Sequence, residues 1–563
     1  MPAVGAIKNP KSLRRKPNRA GSGSPCQNNP ATAPVRYRTA VSWPGGVAVF
    51  GFLNPNTRSV KPTVFHSRRN LLETALGLGC VLASTASVSQ AASLYWDGTN
   101  AGWEAVANWS TVAEATTPDP AAIPGAADDM IFNIDPVDAA VTVGLNGAQS
   151  ANSLTFNNTG TTLLQGGGAN RTLAIGAGGI VMDAAAGAAT IGSGTANQNV
   201  AVSLTATQTW TNNSTTAALS IANPFTAGAG IGLTKAGAGD VAMTNALNTT
   251  NIGGVLNVQA GRLLMSGDIT AGGLTGAGTL AVAGAASKWF FVNNPADSDF
   301  SGSLQNASAT VRLGLVKRGI GTLTLSGTNT LGDNLGVENG LIKITGSTTA
   351  GVGGANGTAS VGTVGNQNGR ILIDGGTLAA TKNTSPSVAI ATAANSQGFL
   401  KMTTGSITTT SEFHIGRGQT GSFSAYTQTG GTLTSGNWLV VGLNNDRAVL
   451  NQSGGSITVS TNRMTIGAGG NASIGVANLS GGTFTSVAGT NTGVFVGENG
   501  TGTLNVSGTA NVSLATNGGA TSGTLQFGGN AVSLAGNVNL LGASKGSEIV
   551  IALPPLSTVP PPP

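Results

Sequence analysis

LTKAGAGDVAMT, from Leu233 to Thr244, and LVKRGIGTLTLS, from Leu315 to Ser326, are two renderings of one phrase. Each is followed by a second matched stretch, NVQAGRLLMSG from Asn257 to Gly267 and GVENGLIKITG from Gly336 to Gly346. Repetition at this grain marks a stacked architecture, in which each unit buries its apolar side only against its neighbours. VAMT and TLTLS alternate, so one side of each strand can face a core and the other water. Gly237 and Gly239, like Gly319 and Gly321, stand just before a strand, where a tight turn needs positive φ or a close backbone approach.

A second repeat type fills residues 370–530. Its marks are Gly405-Ser406-Ile407, Gly430-Gly431-Thr432-Leu433, Gly454-Gly455-Ser456-Ile457, Gly481-Gly482-Thr483-Phe484 and a weaker Gly508-Thr509, spaced about 24–27 residues apart. In phase with them run short apolar phrases that end at Gly416, Gly442, Gly467, Gly497 and Gly528. A third strand precedes each Gly-Gly pair, as in AYTQTGG and AVLNQSGG. Three short strands per period, each followed by a glycine turn, predict an all-β chain: a right-handed parallel β-helix (β-solenoid) with strands of successive coils paired in parallel. No apolar run with a 3.6-residue period follows residue 91. At ~25 residues per coil and ~4.8 Å between coils, residues 92–563 would build a rod of roughly 80–90 Å, less what caps and loops remove.

The opening stretch YWDGTNAGWEAVANWSTVAEATTPDPAAIPGAADDMIF, Tyr95 to Phe132, carries Trp96-Asp97-Gly98, Trp103, Asn108-Trp109, Pro124-Gly125, Asp128 and Phe132. With the two LxKxGxG phrases and Phe300-Ser301-Gly302-Ser303-Leu304, it resembles bacterial autotransporter-associated β-strand repeat proteins over most of residues 95–346. The resemblance implies an exported passenger. Members of that family often continue into a membrane barrel or sorting anchor. Here the chain runs into ALPPLSTVPPPP, a tail expected to be extended and solvated. By itself, the clustering of Trp96, Trp103 and Trp109 predicts a cap on the first coil, with a carbohydrate-stacking platform as the alternative.

Charge divides the chain. Residues 1–72 hold twelve of the 27 Lys and Arg and no acidic residue, whereas from Ala92 onward fifteen basic residues face twenty acidic ones. The basic pI therefore gives no nucleic-acid reading. Residues 67–91, SRRNLLETALGLGCVLASTASVSQA, have the layout of a secretory signal, with Arg68-Arg69 leading and Ser89 and Ala91 at the cleavage positions. Ser67-Arg68-Arg69 also fits a twin-arginine start, so Sec and Tat routes are both open. Cys26 and Cys80 precede Ala92, so the exported chain has no thiol for a disulfide or metal. The expected division is 1–66, a disordered basic extension or a start set too early; 67–91, signal peptide; 92–160, the Trp-containing cap and first coils; 161–369, the autotransporter-associated strand repeats; 370–545, the Gly-Gly-Thr/Ser repeats; and 546–563, the Pro-rich tail.

Candidates for chemistry are few. His414, in EFHIG, is expected to face water if Phe413 and Ile415 face inward, and no GxSxG elbow accompanies it. Asp128, Asp129, Asp135 and Asp138 form one carboxylate group and Asp297 with Asp299 another; turn capping is the expectation for the second pair, and neither fits a calcium-loop pattern. Lys235 and Lys317 recur at one repeat position and are expected to lay their stems along the coil with the ammonium in water. No catalytic, cofactor-binding or metal-ligating residue is assigned. The expectation is a non-enzymatic secreted or cell-surface solenoid, structural or adhesive, with extracellular glycans or surface components as partners, no nucleic acid and no membrane-spanning segment in the exported chain. The alternatives are a polysaccharide-binding or polysaccharide-cleaving β-helix and a passenger whose barrel is missing.

Overall fold

Each repeat phrase folds as a strand, a corner and a strand, and three such sides close one coil. The computed structural model describes residues 91–543, apart from 99–101, 134–139, 224, 246–248, 353–356, 418–419, 471, 487–492, 515–523 and 528–535. The expected extension, the signal segment up to residue 90, the tail, both cysteines, Asp135, Asp138 and Gly528 lie outside the described residues. One representative coil runs from Phe413–Ile415 on the first face through Phe423–Gln428 on the second to Thr432–Ser435 on the third. All three pair in parallel with the next coil, Phe413 against Leu439, Phe423 against Arg447 and Thr432 against Ser456. The chain is thus a β-solenoid, with no α-helix among the described residues and one 3-10 turn, Val106–Asn108.

The three faces do not map onto three separate sheets. The ladders form sheets of 21, 8 and 14 strands, because some strands bend around a corner and belong to two faces. Asn368–Ala380, Gln397–Thr409, Arg447–Val459 and Ile474–Ser486 each serve the second and third faces as one 13-residue strand. The expected turn between those faces is there a bulge, seen as register shifts at Ile373 to Thr377 and Gln452 to Ser456. Glycine makes that bend possible. Gly431, Gly455 and Gly482 have φ of +74°, +72° and +79°, and a Cβ on each would overlap the carbonyl oxygen of the corresponding glycine one coil earlier. A second column, Gly416, Gly442, Gly467 and Gly497, turns the corner between the first and second faces with φ from +73° to +90°.

Inward residues stack as like on like. Val361, Ile390, Ile415, Val441, Ile466 and Val496 follow one another along the first face and are fully buried. Phe132 lies on Phe156 of the next coil, ring centroids 5.1 Å apart and nearly parallel. Burying aliphatic and aromatic side chains in this way contributes about 1.5–3 kcal/mol each. At the N-terminal end Trp96 and Trp103 meet Trp109 edge-on at 5.0 and 5.1 Å, and all three are buried.

The two LxKxGxG phrases occupy different corners. Leu233–Ala236 pairs with Leu256–Val258 on the second face, and the following strand Asp240–Met243 lies on the third. Leu313–Lys317 pairs with Lys288–Val292 on the first face, and Thr322–Leu325 lies on the second. Ile269–Thr275 carries both ladders, its first half continuing to Phe290–Val292 and its second half pairing back to Val255–Asn257. At both corners the lysine points inward. Lys235 is fully buried, and its Nζ donates to Ala236 O at 3.0 Å, Gly237 O at 2.6 Å and, in the next coil, Ala260 O at 2.8 Å. Lys317 is equally buried and donates to Gly319 O and to Asn339 O of the next coil. The expectation of a wet ammonium is therefore corrected: the carbonyls that a sharp corner leaves unpaired supply the solvation that water would. Gln428 and Gln452 do the same work with an amide, donating to Gly431 and Ser456 and to Gly455 and Thr483.

Two outcomes follow from these corners. Gly168→Ala, at φ +84° with open space around it, should cost about 1–2 kcal/mol from backbone strain alone; Gly455→Ala, which must also displace a carbonyl, should cost clearly more in a denaturant titration. Burial draws the Lys235 and Lys317 ammonium groups down to about 8, against the opposing pull of Asp240 and Asp297. Their folded pKa lies below the unfolded value of 10.5, so stability should rise as pH increases from about 8 toward 10. Melting temperatures across that range should climb in the native chain and flatten in the Lys235→Gln, Lys317→Gln double variant.

Candidate functional site: the outer side of the first face

The outward residues of the three faces differ in chemistry. On the third face two rows of small side chains run in register: the hydroxyls of Thr328, Ser347, Thr377, Ser406, Thr432, Ser456 and Thr483 in one, and those of Thr330, Thr349, Thr408, Thr434, Thr458 and Thr485, interrupted by Ala379, in the other. Neighbouring rungs lie ~4.8 Å apart. The second face carries an amide ladder, Asn505 to Asn478 at 2.7 Å and Asn478 to Asn451 at 2.8 Å, and on earlier coils Phe399 meets Phe423 at 5.9 Å.

The first face holds two sizeable hollows. One, of about 570 Å³, is lined by Asn251, Thr270, Asn293, Arg318, Ile320 and Asn339 among others. The other, of about 680 Å³, has Thr358, Pro386 and Ala389 at its floor and Arg417, Thr420 and Asn444 at its rim. They touch neighbouring coils, since the strand leading to Asn339 pairs directly with the one containing Ser360, which also lines the second hollow. Asn444 and Asn445 hold left-handed corners, φ +56° and +69°, which suit asparagine. Beside the first hollow Arg318 lies 3.9 Å over the Phe291 ring and 3.1 Å from Glu338. Trp289 lies flat over Gly314 of the next coil, where a side chain would strike the indole.

Beyond the second hollow the outward row is itself covered. Ala389, at the floor of that hollow, and His414, Val440 and Thr465 beyond it are buried although they point away from the core. The alternation expected for His414 holds, but its exposure does not. Its Nε2 is 2.7 Å from Glu412 Oε2, and its Nδ1 is buried without a hydrogen-bond partner. The covering layer comes from residues at or just before the strand starts, Glu412, Trp438 and Arg463, together with Phe495 and Glu498 of a later coil. Arg463 lies between the rings of Trp438 and Phe495, at 4.5 and 4.6 Å, and donates to Glu498 at 2.6 Å; Glu498 in turn accepts from Thr465.

Glu412 is the pivot of this layer. The same carboxylate oxygen takes the His414 ring nitrogen and the Ser385 hydroxyl. Burial pushes its carboxyl upward, but the hydrogen bonds from His414 and Ser385 and the nearby Arg417 outweigh that and hold it below its ordinary value. With the carboxylate between histidine and serine, the imidazole is not placed on the hydroxyl, and the geometry is a pin rather than a nucleophilic relay. Lys382, which donates to Thr358 Oγ1 at 3.2 Å, is drawn below the usual lysine range first by burial and then by Arg417.

The remaining sequence candidates serve the frame. Asp297 Oδ1 accepts from Thr322 N at 2.7 Å and Asp299 Oδ1 from Ser326 Oγ at 2.9 Å, so both tie to the next coil instead of capping their own turn. Asp128 accepts from Ala92 N and Gly125 N, and Asp129 from Asn152 and Ser153. Trp96, Trp103 and Trp109 are buried and present no stacking platform. Among the described residues no three His, Cys, Asp or Glu side chains are placed to hold a metal ion. Sequence reasoning missed Trp289, Arg417, Trp438 and Arg463. The alternation that exposes Trp289 beside inward Phe290 was readable, whereas the stacking of Arg463 between rings from other coils was not.

Compared with family models, curated proteins and solved structures, the chain finds no match in any of the three.

Glu412 yields a pH expectation. Its folded pKa lies below the unfolded 4.5, so it adds stability above that pH that is lost as the pH falls below it. Glu412→Gln should flatten the acid-side decline of the melting temperature and lower stability at neutral pH by about 1–3 kcal/mol.

Proposed function

We propose that this chain is an exported, non-enzymatic β-solenoid that works outside the cell as a structural and adhesive element. The third face supports this reading most. It offers the same pair of small hydroxyl positions coil after coil, on a sheet whose register is fixed by parallel pairing. Each pair is a weak hydrogen-bonding contact, and many of them on one rigid face engage a repetitive partner together. The partners that suit this surface are extracellular glycans and cell-surface components, which display their own repeated hydroxyls. The signal-like segment Ser67–Ala91 supports export, and the two LxKxGxG phrases with the Trp-rich opening support kinship with autotransporter-associated repeat proteins; both belong to the proposal.

Fractionation of the native cells with N-terminal sequencing tests the export. A chain beginning near Ala92 in the envelope or medium is expected, and an uncleaved cytoplasmic form overturns the reading. For adhesion, Thr408→Lys with Thr458→Lys, two coils apart, should reduce binding of the purified protein to isolated envelopes several-fold while leaving the melting temperature within a few degrees. Unchanged binding would remove the third face from the proposal.

A further inference from the structure

We propose that the hollow around Arg417 is a binding site for the carboxylate of an acidic polysaccharide, whose chain lies along the corner between the first and second faces. This goes beyond the adhesive reading and does not use the third face.

The cation is the first argument. Among the described residues the Arg417 side chain has no ion pair or hydrogen-bond partner, whereas Arg318 and Arg463 on the same side of the molecule are committed to Glu338 and Glu498. Its guanidinium is exposed at the rim, with the Lys382 ammonium held against Thr358 at the floor. Two cations beside one hollow repel each other, and a ligand anion relieves that repulsion. The acidic groups that face them are already engaged: Glu412 with His414 and Ser385, and Asp446, fully buried, with Ser424.

The lining supplies the second. Hydroxyl and amide groups of Thr392, Thr420, Asn444 and Asn445 converge on the space, and Pro386 and Ala389 give a small apolar floor. A pyranose ring has the same division, an apolar C–H side and a fringe of hydroxyls. A planar guanidinium matches a planar carboxylate with two parallel hydrogen bonds, which singles out a uronate among charged sugars. The hollow of about 680 Å³ has room for more than one ring.

The third is continuity. The neighbouring hollow, with Asn251, Thr270, Asn293 and Asn339, begins on the adjacent coil, and both hollows include residues of the corner between the first and second faces. Coils recur every ~4.8 Å, a step of the same order as one sugar in an extended chain, so a polymer can keep step with the groove. A nucleic acid would require a line of free cations, and among the described residues of this corner the free arginine is Arg417.

The test is titration calorimetry of the full chain with an oligogalacturonate and with its methyl ester, which removes the charge and keeps the sugar. Binding of the acid form is expected, weakened at least roughly tenfold by esterification, by Arg417→Ala and by raised salt. Arg417→Lys should restore part of it. Because Arg417 is exposed and unpartnered, circular dichroism and melting of the variants should match the native chain. Equal binding of acid and ester, native-like binding by Arg417→Ala, or tighter binding of single-stranded DNA overturns the proposal. If the Arg417 effects appear while envelope binding ignores the third-face lysines, the third face drops out of the adhesive reading and this site stands. The reverse pattern removes this site and leaves that reading in place.

Discussion

A polypeptide that turns three corners in about 25 residues must find donors for carbonyl oxygens that a sharp bend aims into its own interior. That requirement shapes this molecule more than any other. Straight sides solve their hydrogen bonding by parallel pairing with the coils on either side. Corners cannot, and the chain answers with a side chain drawn inward. The ammonium groups of Lys235 and Lys317 and the amides of Gln428, Gln452, Asn212 and Asn294 each link the turn that carries them to the following coil. Glycine is the complement of these donors, since it lets one corner backbone settle on the next.

Much of this was legible in the sequence, for definable reasons. The three strands per period, their parallel stacking and the glycine columns follow from spacing and alternation, which depend on local geometry alone. The bend between the second and third faces reads as a turn in the sequence because Gly-Gly pairs announce both turns and bulges. Lys235 and Lys317 were placed in water because a charged side chain normally stays there, and the competing demand of unpaired carbonyls exists only once the corner is built. His414 was misplaced for a related reason. Alternation fixed its direction, but a lid formed by Glu412, Trp438 and Arg463 comes from three different coils, and nothing in a linear reading joins them.

The three sides therefore divide their tasks. The third keeps its pairing simple and its outward side chains small, and it is the most regular surface of the stack. The first departs from that regularity: its corner loops are longer, its outward row is part covered and part hollowed, and its charges are mostly paired, Arg417 excepted. Departures from a repeat are informative because the repeat itself already satisfies stability.

The lysine phrase occurs once between the second and third faces and once between the first and second, and it builds the same inward clamp at both. The element being copied is thus one bend with its two flanking edges, smaller than a full revolution. A gene assembled from such pieces can grow or shrink by a fraction of a revolution and still close its seams. Lineages of this architecture are then free to rotate a surface feature around the axis without rebuilding the scaffold beneath it.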